Sequence, residues 1–521
     1  MPSEALADRD ERPQRRGRRA RMAERAQPIA IEERAVWPGV EGGGFRPLSE
    51  AEVKRIHATA LDLLDQVGLD SAIPSMVQRI TDAGGRLTDR GRLIFPRGLV
   101  EDVIAAARRS FTIHGRRPGL ELEVSGTQVH VGSGGASPNL LDLETGCYRE
   151  ATLKDLYDAA RLVDRLDNIH FFHRSLVARD VADTRAFDLN TAYAILAGTA
   201  KPLGTSFSHP DHVRDVVEMF DIAAGGEGRT REKPFCTLLS CHVVPPLRFA
   251  EEACAALEEG VRLGIPVMLI SAGQAGATSP AQLAGSVVQA VAEVLAGLVF
   301  VYLVDPACKV VLAPKPVVSD LRTGAMCGGS GEQAVLMAAA TQMANFYGLP
   351  SSAMAGMTDS KVPDAQHGYE KGYTVTLAAQ AGANLISQSC GMEASLLGCS
   401  LEGYVIDNDM LGAILRSVRG IEVNDDTLSF ETIREVVEGE GHYLGHAQTL
   451  EGMTRDYLYP EVGDRASPDD WVEAGAKDIR ERARERAREI LAQPRPDHLS
   501  RAADQRIRAR FPILLPEEVM G

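Results

Sequence analysis

Between residues 169 and 388, short apolar runs recur at 169–177, 203–208, 235–244, 265–271, 309–313, 352–355 and 384–388, and most gaps between them carry a helical pattern. This rhythm constrains the fold more than any other feature. A strand, a helix and a second strand in succession imply a crossover, which makes neighbouring strands parallel. The periodicity predicts helices at 152–166, 183–197, 211–224, 247–262, 279–300, 331–347, 369–381 and 402–418. Seven strands, with an eighth drawn from the 129–143 region, fit a (β/α)8 TIM barrel better than an open doubly wound sheet, since no G-x-G-x-x-G follows the first strand.

The barrel core is assigned to 151–420. Upstream, 47–150 reads as a mixed α/β extension: Ser49-Glu50-Ala51-Glu52 caps a helix carrying Ile56, Ala60, Leu63 and Leu64, further helices are expected at 74–83 and 97–108, and the alternation in 120–124 and 128–131 points to β-hairpins. Residues 1–30, with Arg15-Arg16-Gly17-Arg18-Arg19 and no apolar signal region, read as a disordered leader. Residues 421–521 read as a C-terminal helical tail in which 478–491, rich in Arg and Glu, is an exposed helix.

The net charge of −16 disfavours nucleic acid as the main partner. The longest apolar stretch, 287–304, contains Gln289 and Glu293 and reads as a buried helix running into a strand, not as a membrane span. The eight cysteines include no C-x-x-C pair, so the expectation is reduced thiols in a soluble, cytoplasmic protein, without a zinc motif.

In a barrel the chemistry sits in the loops after the strands. Those loops here hold Ser208-His209-Pro210, Ser240-Cys241-His242, the glycine-rich 324–332 and 387–393, and above all the run from Gly356 through Asp359, Lys361, Asp364, Gln366, His367, Tyr369, Glu370 and Tyr373. Three acids, a lysine, a glutamine, a histidine and two tyrosines exceed what solubility asks of one loop. The competing reading is an Asx-type turn, with Asp359 and Asp364 capping and Lys361 solvated. Gly328-Gly329-Ser330-Gly331 also admits a phosphate-cradle reading, though without a P-loop lysine.

The run Gly356-Met357-Thr358-Asp359-Ser360-Lys361-Val362-Pro363-Asp364-Ala365-Gln366, together with 133–136, Asp142-Leu143-Glu144-Thr145-Gly146 and the tail from Gly441-His442-Tyr443 to Trp471-Val472-Glu473-Ala474-Gly475, resembles the trimethylamine methyltransferase (MttB-like) family over about residues 47–495. The resemblance implies a barrel that moves a methyl group from a methylated amine to the cobalamin of a separate corrinoid protein. The founding trimethylamine enzymes carry pyrrolysine in the barrel centre, and spacing from the C-terminus sets that position near Ser360-Lys361; relatives without it include enzymes that demethylate quaternary amines such as glycine betaine. This chain has only standard residues, which matches the non-pyrrolysine branch.

A quaternary ammonium already carries its charge, so its demethylation releases a neutral amine and asks the protein only to desolvate, orient and hold the cation. On this reading Asp359, Lys361 and Glu370 are the catalytic candidates. Tyr369, Tyr373, Phe346, Asp364 and the two acids are cage candidates, and Gln366, His367, His209, His242 and His446 are further substrate-binding candidates. For Tyr373 and Phe346 the competing reading is core packing, and for Glu370 a surface acid favoured by a helix dipole. His442 and His446 stand at i, i+4 without the glutamate of a metalloprotease helix, so no metal is assigned. A homo-oligomer is expected as well. Two rival functions stay open: a barrel lyase forming a Schiff base on Lys361, and a non-catalytic binder of methylated amines.

Overall fold

The computed structural model describes residues 34–520, so the Arg-rich stretch 1–30 lies outside the described residues. Eight strands run parallel to their neighbours: β1 (Gln128–Val131), β2 (Phe172–His173), β3 (Leu203–Thr205), β4 (Cys236–Ser240), β5 (Val267–Ser271), β6 (Val310–Pro314), β7 (Ser352–Met354) and β8 (Leu385–Ser387). β2 to β6 form one sheet; β7, β8 and β1 form another, with Val40–Glu41 antiparallel on the edge of β1. Single parallel bridges, Gly132 to Phe171 and Leu312 to Ser351, join the sheets at both margins. Pairing therefore passes from each strand to the next and returns from β8 to β1.

A helix follows every strand: α1 (Leu153–Asp164), α2 (Thr184–Gly198), α3 (Pro210–Ala224), α4 (Glu251–Arg262), α5 (Leu283–Val304), α6 (Gly331–Phe346), α7 (Ala365–Gln380) and α8 (Leu401–Arg419). Local chemistry sets their starts. Thr152 and Asp155 form a reciprocal capping box on α1, while Asp183, Ser330, Asp364 and Ser400 cap α2, α6, α7 and α8 through their side chains. α5 is long and apolar enough to cross a membrane, but it is mostly buried, packed against β6 and the helices Glu50–Asp62, Pro74–Asp82 and Arg97–Ala106. Glu293 is tolerated there because Ser271 Oγ, Leu247 N and Gln289 Nε2 donate to it.

The outward faces of the strands and the helices share one apolar core reaching from Val40 to Met520. A second, smaller cluster fills the inside of the ring: Phe171, Met268, Val311, Ala313 and Leu385. It is closed from the N-terminal ends of the strands by an antiparallel hairpin, Phe111–Ile113 with Leu122–Val124, whose four apolar side chains are buried there. The His114 and Arg116 N–H groups bond to the carbonyls of Pro234 and Ala200, just ahead of β4 and β3.

Two expectations are corrected. Gln128–Val131, read both as part of a hairpin and as the source of the eighth strand, takes the second role and pairs in parallel in the ring; Val129 and Val131 face the outer core while the His130 imidazole is itself buried and bonded to the Glu123 carbonyl, so the alternation marks two buried faces. The 478–491 stretch is not a free helix either. Ile479–Leu491 packs on α8 through Ala483, Ala487 and Ile490, and its arginines pair across the chain with Glu402, Glu461 and Glu144.

Candidate functional site

The loop from β7 to α7 passes over the C-terminal ends of the strands, held close to the loop after β8. Gly356 sits at φ +93°, where a Cβ would meet the Ser389 backbone at 2.6 Å, so only glycine permits that approach. α7 starts at Ala365, four residues ahead of the Tyr369 expected from periodicity, because the Asp364 carboxylate accepts from the His367 N–H (3.1 Å) and from Ser360 Oγ (2.8 Å). Asp364 is thus a helix cap, its pKa held below the usual carboxylate range by these hydrogen bonds against the opposing effect of burial.

One group of expected residues is brought together. The Glu370 carboxylate is buried and accepts from Thr358 Oγ1 (2.6 Å), the Asp359 N–H (2.7 Å), Gln366 Nε2 (2.8 Å) and Tyr369 OH (3.4 Å). Asp359 accepts from the Gly328 N–H (3.0 Å) and from Ser395 Oγ, which ties the glycine-rich loop after β6 to the loop after β7. That use of Gly328 removes one donor from any phosphate cradle. Tyr369 and Tyr373, one turn apart on α7, stack with centroids 6.5 Å apart and planes 13° from parallel. Tyr369 is 58% exposed, while Tyr373 is anchored by its OH to the Gly329 carbonyl. Here an aromatic face meets two carboxylates.

Other candidates lie elsewhere. His367 is buried between Glu393 (Nδ1 to Oε1, 2.8 Å) and Asp407 (Nε2 to Oδ1, 3.0 Å). Both partners are acceptors, which assigns a proton to each ring nitrogen, and the two carboxylates raise its pKa despite burial and the nearby Lys371 ammonium. Asp407 also receives Lys371 Nζ (2.7 Å) and the Gly391 N–H (2.7 Å), so this network braces the loop after β8 against α7 and α8. Lys361 is exposed, its Nζ donating to the Asp359 carbonyl (2.5 Å), and lacks the apolar burial that activates an amine nucleophile. His209 is an exposed cap on α3. His242 is buried, donates to the Glu293 carbonyl (3.0 Å), and has its pKa pushed down to about 4 by burial, which keeps it neutral. His446 caps the Ala447–Arg455 helix in the C-terminal segment. Phe346 leaves the site altogether: at the last residue of the 16-residue α6, beside His57 and Tyr347, it is about 22 Å from the end that faces the loops.

The structure adds residues that periodicity alone did not single out. Lys315, the residue after β6, is buried, with Nζ donating to Ser387 Oγ (2.7 Å) and lying 3.6 Å from Met268 Sδ. Burial pushes its pKa down to about 7. At the C-terminal ends of β2, β3 and β4 lie His173, Arg174, Ser206 and Cys241; His173 feels the Lys315 charge, and Cys241, an exposed residue, is within electrostatic reach of both Lys315 and Arg174. The one visible signal was position, a lysine directly behind the apolar run 310–314.

Residues 14–511 match the family model described as trimethylamine methyltransferase (MTTB). A trimethylamine methyltransferase MttB of Methanosarcina barkeri is 34% identical over 450 residues, 84% of this chain and 89% of that one. One from Desulfitobacterium hafniense is 31% identical, covering 88% and 92%, and a glycine betaine methyltransferase of D. hafniense is 28% identical, covering 89% and 96%. Among solved structures, the hydroxylamine complex of MtmB superimposes with a TM-score of 0.50 at 12% identity over 89% of this chain and 90% of that one, a likeness of fold alone. The chain belongs to the trimethylamine methyltransferase family and is a methyltransferase of the kind that acts on methylated amines.

Proposed function

We propose that the ring is a (β/α)8 barrel and that the protein moves a methyl group from a quaternary, glycine betaine-like amine to the cob(I)alamin of a partner corrinoid protein. The observation that carries this reading is the Tyr369–Tyr373 stack beside the Asp359 and Glu370 carboxylates at the mouth. An aromatic face attracts a methylated ammonium through its quadrupole, and nearby carboxylates offset the loss of hydration. No proton donor is needed, since the amine that leaves is neutral. Glu370 acts as a positioning residue, fixing Asp359, Gln366 and Tyr369 by the hydrogen bonds it accepts. The corrinoid supplies a cobalt nucleophile that accepts the methyl group. It would come with another protein, since no Asp-x-His-x-x-Gly occurs in the chain. A cytoplasmic setting and self-association belong to the same proposal.

Mixing the protein with cob(I)alamin and a panel of glycine betaine, carnitine, proline betaine, choline and trimethylamine tests it. Growth of the methylcobalamin absorbance with one quaternary amine is expected; binding without product across the panel would instead assign a sensor of such amines.

A further inference from the structure

Three lysines of the described chain are buried: Lys201, Lys315 and Lys371. Two have complete polar surroundings. Lys201 donates to the carbonyls of Val163, Leu166 and Ile169 at 2.6–2.7 Å, at the end of α1. Lys371 is paired with Asp407. Lys315 has only a hydroxyl and a thioether, although it lies inside the ring at the end that opens to the loops. A buried ammonium without an acid is costly to hold, and such a group is retained where a ligand completes it.

The surroundings supply no anion. On β2, His173 has its pKa pushed down to about 3 by burial and by the Lys315 charge, so it is neutral. Just past β4, Cys241 is reached by solvent on one side while the protein packed around its thiol strips water from it and raises its pKa, which keeps it protonated. On β5 and β8 the neighbours are Met268 and Ser387, with Ser352 of β7 3.3 Å from the Ser387 hydroxyl. Arg174 adds a second cation. Its guanidinium donates to Ser206 Oγ (2.9 Å) and lies over the Phe187 ring, and it forms no ion pair among the described residues. The acid within its electrostatic reach, Asp188, is already engaged by the Ser208 N–H (2.8 Å) and His212 (2.7 Å).

We propose that Lys315, with Ser387 beside it, is an anion seat that holds the acid group of a zwitterionic methylated amine. The inference rests on the function proposed above and names the substrate class: a quaternary amine with an acid on a short tether. A plain methylated cation brought to this end of the ring would meet the Lys315 charge, with Arg174, in the same Cys241 neighbourhood, adding a like charge, whereas a carboxylate beside Lys315 neutralises that charge and leaves the methylated nitrogen toward the loops. The seat thus selects by repulsion as well as by attraction.

Calorimetric binding without any corrinoid separates this inference from the transfer reaction. Wild-type protein is expected to bind glycine betaine, carnitine or proline betaine at least tenfold more tightly than tetramethylammonium or choline. Lys315→Met is expected to remove that preference by weakening the acid-bearing amines and tightening tetramethylammonium, and Lys315→Arg to restore part of it, with thermal unfolding as the check on folding. In the wild type the preference should weaken as pH rises above about 7, where Lys315 loses its proton; this measurement needs no variant. Equal affinity for acid-bearing and acid-free amines, a preference that survives Lys315→Met, no binding of any acid-bearing amine, or borohydride trapping of a carbonyl compound on Lys315 would each overturn the assignment. Failure of methyl transfer with the binding preference intact would instead count against the transferase reading alone.

Discussion

At the scale of single residues, the His367 imidazole between Glu393 and Asp407 shows how charge is kept inside this protein: every charge of the group has a partner of opposite sign. Removing one partner leaves the rest exposed to a poorly polarisable interior. Asp407→Asn is therefore expected to destabilise the fold by about 3–5 kcal/mol, read from chemical denaturation. The pH dependence has a definite sign. The folded pKa of His367 is raised above its ordinary value of 6.5, so its contribution is complete below that value and is lost as pH rises through the folded pKa. Asp407 is lowered from 3.8, so its contribution is present above that value and fades as pH falls through the folded pKa. His367→Gln should accordingly lose more stability relative to wild type at pH 6 than at pH 9, measured as the difference in denaturation midpoints. Lys315 should behave in the opposite way: burial disfavours its charge, and Lys315→Met is expected to raise stability by an amount on the order of a few kcal/mol, visible as a higher melting temperature.

At the scale of elements, α7 carries the aromatic stack and its start is set by one cap. Asp364→Ala should cost about 1 kcal/mol of stability. Tyr369→Ala is expected to weaken binding of a quaternary amine several-fold to tenfold, with Tyr369→Phe close to wild type, by the same calorimetry. The strands and helices were legible because each is an apolar run or a 3.6-residue period ended by a cap: Val310–Pro314 and Gly331–Phe346 lie within a residue or two of their expected bounds. The gathering of Asp359, Gln366, Tyr369, Glu370 and Tyr373 was legible too, since one loop and two helical turns carry them all. Direction across the fold was not. Phe346 is near the loop residues in sequence but at the far end of a helix, and His367 points between α7 and α8 instead of toward the mouth. Lys315 escaped notice because whether a residue just past a strand turns inward depends on how the ring closes, which no local pattern records.

At the scale of the whole molecule, the surface is uneven. Ile421, Val423, Phe430, Val437, Leu444 and Val472 are all more than 60% exposed in the C-terminal segment, a concentration of apolar surface that an interface would cover. A second copy placed across a twofold axis would cover it with the same face, so sedimentation is expected to show an oligomer, and Phe430→Asp combined with Val437→Asp to shift it toward a smaller species. The hairpin Phe111–Ile113 with Leu122–Val124, which seals the strand N-termini, has a kinetic consequence. On the proposed reaction, with that end of the ring closed, amine and corrinoid protein would both approach from the loop end, so the methyl donor would bind before a corrinoid protein docks there and the spent amine would leave after it undocks. Turnover should follow a compulsory order, with radiolabelled amine bound first being committed to product in a chase experiment once the partner is added, and with the partner in excess slowing the exchange of fresh amine for spent.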